Sequence, residues 1–243
     1  MTRRCRSRLR QNRTRRVLPA ALVVVGALLP GAAHTQELAT LFAQPLASGT
    51  VTLAFDERAV VASGLTAGGQ VAWFGVAREP VNFGAAVVRR EALLADEDAD
   101  GKVRFELDRA VPFRSIWVAV DLTSGESAIG TPAGYPLRPL KLGVNAFLSR
   151  GLGKVDLFTE SRDFLQVFVV RPKSGAWVLS AVDGSAEDQD GPANGSVTLD
   201  TLLLEPVGKS PPAPDGFAKD DVFVAIDPNR MEAVAVRLVG LNL

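Results

Sequence analysis

The sequence predicts an all-β protein: two related β-sandwich units in tandem behind a removable export segment. Three observations carry that expectation. Short apolar runs alternate with Gly, Asp, Asn and Pro turn signals along most of the chain. The run Ile116 to Asp121, IWVAVD, returns as VFVAID from Val222 to Asp227. The first residues are basic, then apolar, then small.

The start of the chain has the three parts of a secretory signal. Met1 to Arg16 holds eight arginines and no acid. Val17 to Leu29 is apolar apart from Pro19 and Gly26, and Pro30-Gly31-Ala32-Ala33 supplies small residues. This run is shorter than the roughly 20 apolar residues of a spanning helix. The expectation is a signal peptide over residues 1–33, cut near Ala33, and a periplasmic or extracellular destination. Thr14 to Leu18, TRRVL, loosely resembles a twin-arginine signal, but ordinary Sec export is the simpler reading.

Cleavage changes the chemistry that remains. The only cysteine, Cys5, leaves, and the only histidine, His34, ends at the new terminus or is lost. All 27 acids follow residue 36, against 19 remaining basic residues, for a charge near −8. With no long basic stretch, nucleic acid is a disfavoured partner. No membrane span is expected in the mature chain. With no disulfide, apolar cores alone must hold it.

The strands follow in order. Val51 to Phe55 alternates large and small residues. Val71 to Val76, Val87 to Leu93 and Ile116 to Val120 are more continuously apolar and fit strands near a core. Lys102 to Asp108 places Val103, Phe105 and Leu107 on one side and four charges on the other, a strand with one wet face. Gly64 to Gly69, LTAG between glycines, reads as a tight turn. Glu37 to Ala43 and Leu142 to Ser149 read as short helical turns.

The second half repeats the first. A shift of 94 residues places Phe74 on Phe168, Val76 on Val170, Gly101 on Gly195, Val103 on Val197 and Phe105 on Leu199. A shift of 106 places Trp117 on Phe223 and Asp121 on Asp227. The extra residues fall around the proline-rich stretch Gly208 to Gly216, which reads as a surface loop. The boundary lies between Gly130 and Val155, giving units at 37–140 and 141–243. Trp117 and Phe223 are expected in equivalent buried places, with Asp121 and Asp227 opening equivalent turns. An alternating strand after an acidic Asp-Gly turn resembles bacterial immunoglobulin-like and prealbumin-like sandwich modules. The resemblance covers only that turn and strand in each half, and it transfers no functional residue.

The residue inventory excludes common catalysts. Without histidine or cysteine in the mature core there is no Ser-His-Asp triad or Cys-His pair, and no usual zinc, haem or iron–sulfur ligation. No phosphate-binding GxxxxGK[ST] or strand-led GxGxxG motif occurs. No cofactor is expected. Asp96-Glu97-Asp98-Ala99-Asp100-Gly101 spaces acids as a calcium loop does at its start, because hard cations need converging oxygens. Asp96, Asp98 and Asp100 are therefore candidate metal ligands. The twelfth position is Leu107 instead of glutamate, so an acidic hairpin turn is the competing reading. Trp177 is the candidate ligand-binding residue, whereas Trp73 and Trp117 lie in apolar strands and read as core. Asp121, Glu126, Asp227 and Glu232 are strand-end acids that a glycosidase would need in a cleft. The functional expectation is an exported, non-catalytic protein of the bacterial envelope or exterior, with a structural or binding role toward a protein or glycan. The alternative is a carboxylate-dependent carbohydrate-active enzyme or a calcium-assisted glycan-binding module.

Overall fold

A computed structural model describes residues 39–81, 84–140, 142–148, 154–159, 165–173, 176–182, 196–200, 204–208, 210 and 217–240. The signal segment expected at 1–33 and most of the proline-rich stretch at 208–216 lie outside these residues. The described strands are β1 (Ala39–Pro45), β2 (Thr52–Phe55), β3 (Ala59–Ser63), β4 (Gln70–Val81), β5 (Gly84–Ala95), β6 (Lys102–Glu106), β7 (Ser115–Asp121), β8 (Ser127–Gly130) and β9 (Arg138–Pro139). They continue with β10 (Leu142–Leu148), β11 (Lys154–Thr159), β12 (Gln166–Lys173), β13 (Ala176–Val182), β14 (Ser196–Asp200), β15 (Leu204–Pro206), β16 (Val222–Asp227) and β17 (Glu232–Gly240). Apart from a 3₁₀ turn at Pro132–Gly134, there is no helix among the described residues.

The described chain is nearly all β, and the described strands form three sheets. One has the order β2-β3-β6, a second β5-β4-β7-β8, and a third β14-β11-β10-β1-β17-β16-β12-β13-β15, with β9 beside β17. All named ladders are antiparallel except β9 with β17.

Two short helical turns expected from the sequence are strands instead. Residues 39–45 form β1, flanked by β10 on one side and β17 on the other. Residues 142–148 form β10, between β1 and β11. An isolated helix this short is unstable, because nucleation costs more than one or two turns return. Here the ladders on both sides satisfy the backbone, and Thr40, Phe42 and Val144 suit a pleated sheet. Strand β1 lies within the expected first unit, 37–140, yet its ladder partners β10 and β17 lie at 142–148 and 232–240.

Period-two alternation splits β4 and β7 between two cores. Val71 and Trp73 with Trp117 and Ala119 face the β2-β3-β6 sheet, packing on Val60, Ala62, Val103 and Leu107. Phe105 lies against both indoles, 5.8 Å from Trp73 and 5.4 Å from Trp117 by ring centroids. The opposite face carries Ala72, Phe74, Val76, Ile116, Val118 and Val120, which pack on Phe168, Val170, Val222, Val224 and Ile226. The Phe74 and Phe168 rings meet at 4.9 Å. Both faces of these strands are thus covered, which explains why every residue of β7 is buried. Continuous apolar sequence is the mark of such a strand.

Candidate functional site

The core that β4 and β7 share with β12 and β16, the junction core, opens at one edge into a cavity of about 410 Å³. Strand β5 supplies one wall. Glu91 is the cross-strand partner of Phe74, and Leu93 that of Ala72, so both side chains point to the junction face. Strand β13 supplies the other wall with Trp177 and Leu179, and the segment Val207, Gly208 and Ser210 closes it. That segment is tied to β13 because Val207 N–H donates to the Leu179 carbonyl at 3.0 Å and Leu179 N–H to Ser210 Oγ at 3.3 Å. Gly208 has φ +60°, a turn conformation that glycine adopts without strain.

The lining brings one aromatic face, one carboxyl and one hydroxyl onto an apolar floor. Trp177 is half-buried: it packs on the junction core and still borders the cavity. Burial pushes the Glu91 carboxyl above its ordinary pKa, and Arg89 pulls partly the other way. Such a site holds a ligand by stacking and a few hydrogen bonds. Glu91 is the sole carboxylate among the described lining residues, whereas glycoside hydrolysis uses a pair.

The acidic turn between β5 and β6 does bring its three aspartates together. One carboxylate oxygen from each of Asp96, Asp98 and Asp100 lies within 4.8 Å of the others. Asp96 is only 3 % exposed, while Asp98 and Asp100 face solvent. Asp96 Oδ2 accepts N–H bonds from Gly101 at 2.9 Å and Gly68 at 3.1 Å, so it joins this turn to the one before β4. Burial pushes the Asp96 carboxyl up. The N–H groups of Gly101 and Gly68 outweigh that, helped by Asp98 and the Asp100 backbone, and hold it below its ordinary value. Asp100 Oδ1 accepts the Lys102 N–H at 2.8 Å, and its Oδ2 sits 3.6 Å from Lys102 Nζ. Leu107 points into the sandwich core and Glu106 pairs with Arg104, so neither joins the turn.

The four strand-end acids are engaged in turns and ion pairs. Asp121 accepts Thr66 N–H and Thr66 Oγ–H, both at 2.7 Å, and Thr123 N–H at 2.8 Å. Burial raises its pKa, but these donors outweigh it and hold the carboxyl low. Asp227 accepts Asn229 N–H at 2.8 Å and Arg230 N–H at 3.0 Å. Glu126 accepts Thr50 N–H at 2.9 Å, and Glu232 pairs with Arg230 at 3.2 Å. Trp73 and Trp117 are buried in the sandwich core.

Two functional-looking features were not singled out from the sequence. One is Glu91, which lies inside the run Val87 to Leu93 that the sequence reads only as a strand near a core. The other is a buried ion pair, Arg171 with Asp221 at 3.2 Å, with the guanidinium 5.6 Å from the Phe217 ring. Burial pushes Asp221 up to about 6, while Arg171 and the Ala218 N–H pull it down. The signal was a lone arginine in the apolar strand VFVVRPK.

No known protein family, no curated protein and no solved structure matches the chain. No helix among the described residues is long and apolar enough to cross a membrane.

Proposed function

We propose that this chain is an exported, non-catalytic binding protein of the bacterial cell envelope or exterior, built from two immunoglobulin-like sandwich units that share a middle core. The single observation that carries the binding role is the junction pocket, where Trp177 and Glu91 from opposite halves border one cavity. An indole face against an apolar floor, with one carboxylate and one hydroxyl at the rim, suits the apolar face and hydroxyl edge of a sugar ring. A glycan is therefore the favoured ligand class. The acids needed by a carbohydrate-active enzyme are held in structural hydrogen bonds and ion pairs, which favours binding over turnover.

The tandem reading draws support from strand order and register. The path β5-β4-β7-β8 is matched by β13-β12-β16-β17, and β2-β3-β6 by β10-β11-β14. The pairing of Phe74 with Val118 is matched by Phe168 with Val224, at the same shifts of 94 and 106 that align the sequences. The leader, with its basic, apolar and small-residue parts, supports export.

A panel of oligosaccharides titrated calorimetrically, with product analysis after long incubation, tests the proposal. Saturable binding without turnover is expected, weakened at least tenfold by Trp177→Ala. Hydrolysis lost on a single acid substitution, or binding indifferent to Trp177→Ala, would overturn it.

A further inference from the structure

The acidic turn between β5 and β6 contains a feature that its hydrogen bonds leave unexplained. Asp96 is nine-tenths buried and more, yet its Oδ1 has no hydrogen-bond partner. Both nearby glycine N–H groups are already taken by Oδ2. A buried carboxylate oxygen without a donor is costly. The carboxylates of Asp98 and Asp100 crowd the same turn, so negative charge gathers around the Asp96 carboxyl.

A proton or a cation could relieve that crowding. Oδ2 accepts two glycine N–H groups, an arrangement that suits a carboxylate and so a cation. Three carboxylate oxygens within 4.8 Å of one another can share one hard cation. Calcium accepts carboxylates and water in an irregular, open shell, whereas magnesium demands a near-octahedral array and gives up its own water reluctantly.

We propose that Asp96, Asp98 and Asp100 form a calcium site, with Asp96 Oδ1 as its buried anchor. Water completes the shell on the open side, because Leu107 and Glu106 are committed elsewhere. Three monodentate carboxylates place the affinity in the weak class typical of extracellular modules, with Kd about 0.1 to 1 mM. Through Asp96 the ion braces two turns at once, since its other oxygen holds Gly68 and Gly101. The site stands apart from the junction pocket, so its test is independent of glycan binding.

Calorimetric titration of the purified protein with calcium chloride, after chelator treatment, measures the site directly, and thermal melting reads its effect. One calcium per chain is expected. Tm should rise by about 3 to 6 °C at tenfold excess over Kd, with a smaller rise in magnesium. The variant Asp98→Asn with Asp100→Asn changes only exposed side chains and should fold, yet lose both the heat and the shift. No binding heat, a shift that survives that double variant, or an equal response to magnesium would each overturn the calcium assignment.

Discussion

Two register-matched cross-strand pairs show how differently the halves fill the same frame. In the first half Gly75 pairs with Trp117, and in the second Val169 pairs with Phe223. A Cβ on Gly75 would sit 2.6 Å from the Trp117 ring, so the large indole requires the missing side chain opposite. The smaller phenyl of Phe223 leaves room for a valine. One residue further along the sheet face, Ala77 pairs with Ser115, whose hydroxyl accepts the Trp117 Nε1–H at 2.9 Å. The same shifts lead to Arg171 and Asp221 in the second half, a buried ion pair. Matched register with exchanged volume and charge is what close packing demands if the halves are, as proposed, two copies of one unit: the sum over a contact is constrained more than each residue.

The largest effect should come from emptying the matched places. Trp117→Ala and Phe223→Ala should each cost about 3 to 5 kcal/mol, as cavities in a tightly packed interior do. Chemical denaturation checks this, and a loss below 1 kcal/mol at either site would break the equivalence.

A smaller effect separates the halves by pH. Asp221 has its folded pKa raised to about 6 from an ordinary 3.8. The folded chain therefore holds a proton between those values that the unfolded chain releases. Stability should fall as pH rises from 4 to 6, by at most about 3 kcal/mol from this group. Asp121 and Asp96 work oppositely, since their pKa values are lowered and their contribution disappears only as pH falls below about 4. Transplanting the first half's pair, as Arg171→Ala with Asp221→Ser, should flatten the slope between pH 4 and 6. An unchanged slope in that variant would show that the ion pair is not its source.

Much of the frame was legible because it is local. Alternation in Lys102 to Asp108 and the continuous apolar runs of β4 and β7 report burial directly. The spacing of Asp96, Asp98 and Asp100 likewise predicted a cluster that one turn can form unaided. What was illegible depends on neighbours distant in sequence. Strand β1 is a strand because β10 and β17 flank it. Glu91 is half-buried because Phe74 across the ladder turns its side chain to the junction, whatever Arg89 and Arg90 do. Trp177 was visible as a candidate, but the pocket was not, since Glu91 and Leu93 reach it from the other half.

The central claim, that the halves are two copies of one unit, is tested most directly by moving one pair into the other's place. Gly75→Val alone should overpack against Trp117 and cost at least about 1 to 3 kcal/mol. Adding Trp117→Phe recreates the Val169 and Phe223 pair in the first half. A double-mutant cycle by denaturant unfolding reads the coupling. The account predicts that phenylalanine at 117 rescues valine at 75, leaving the double variant more stable than Gly75→Val alone. Additive losses, or a double variant less stable than Gly75→Val, would contradict it.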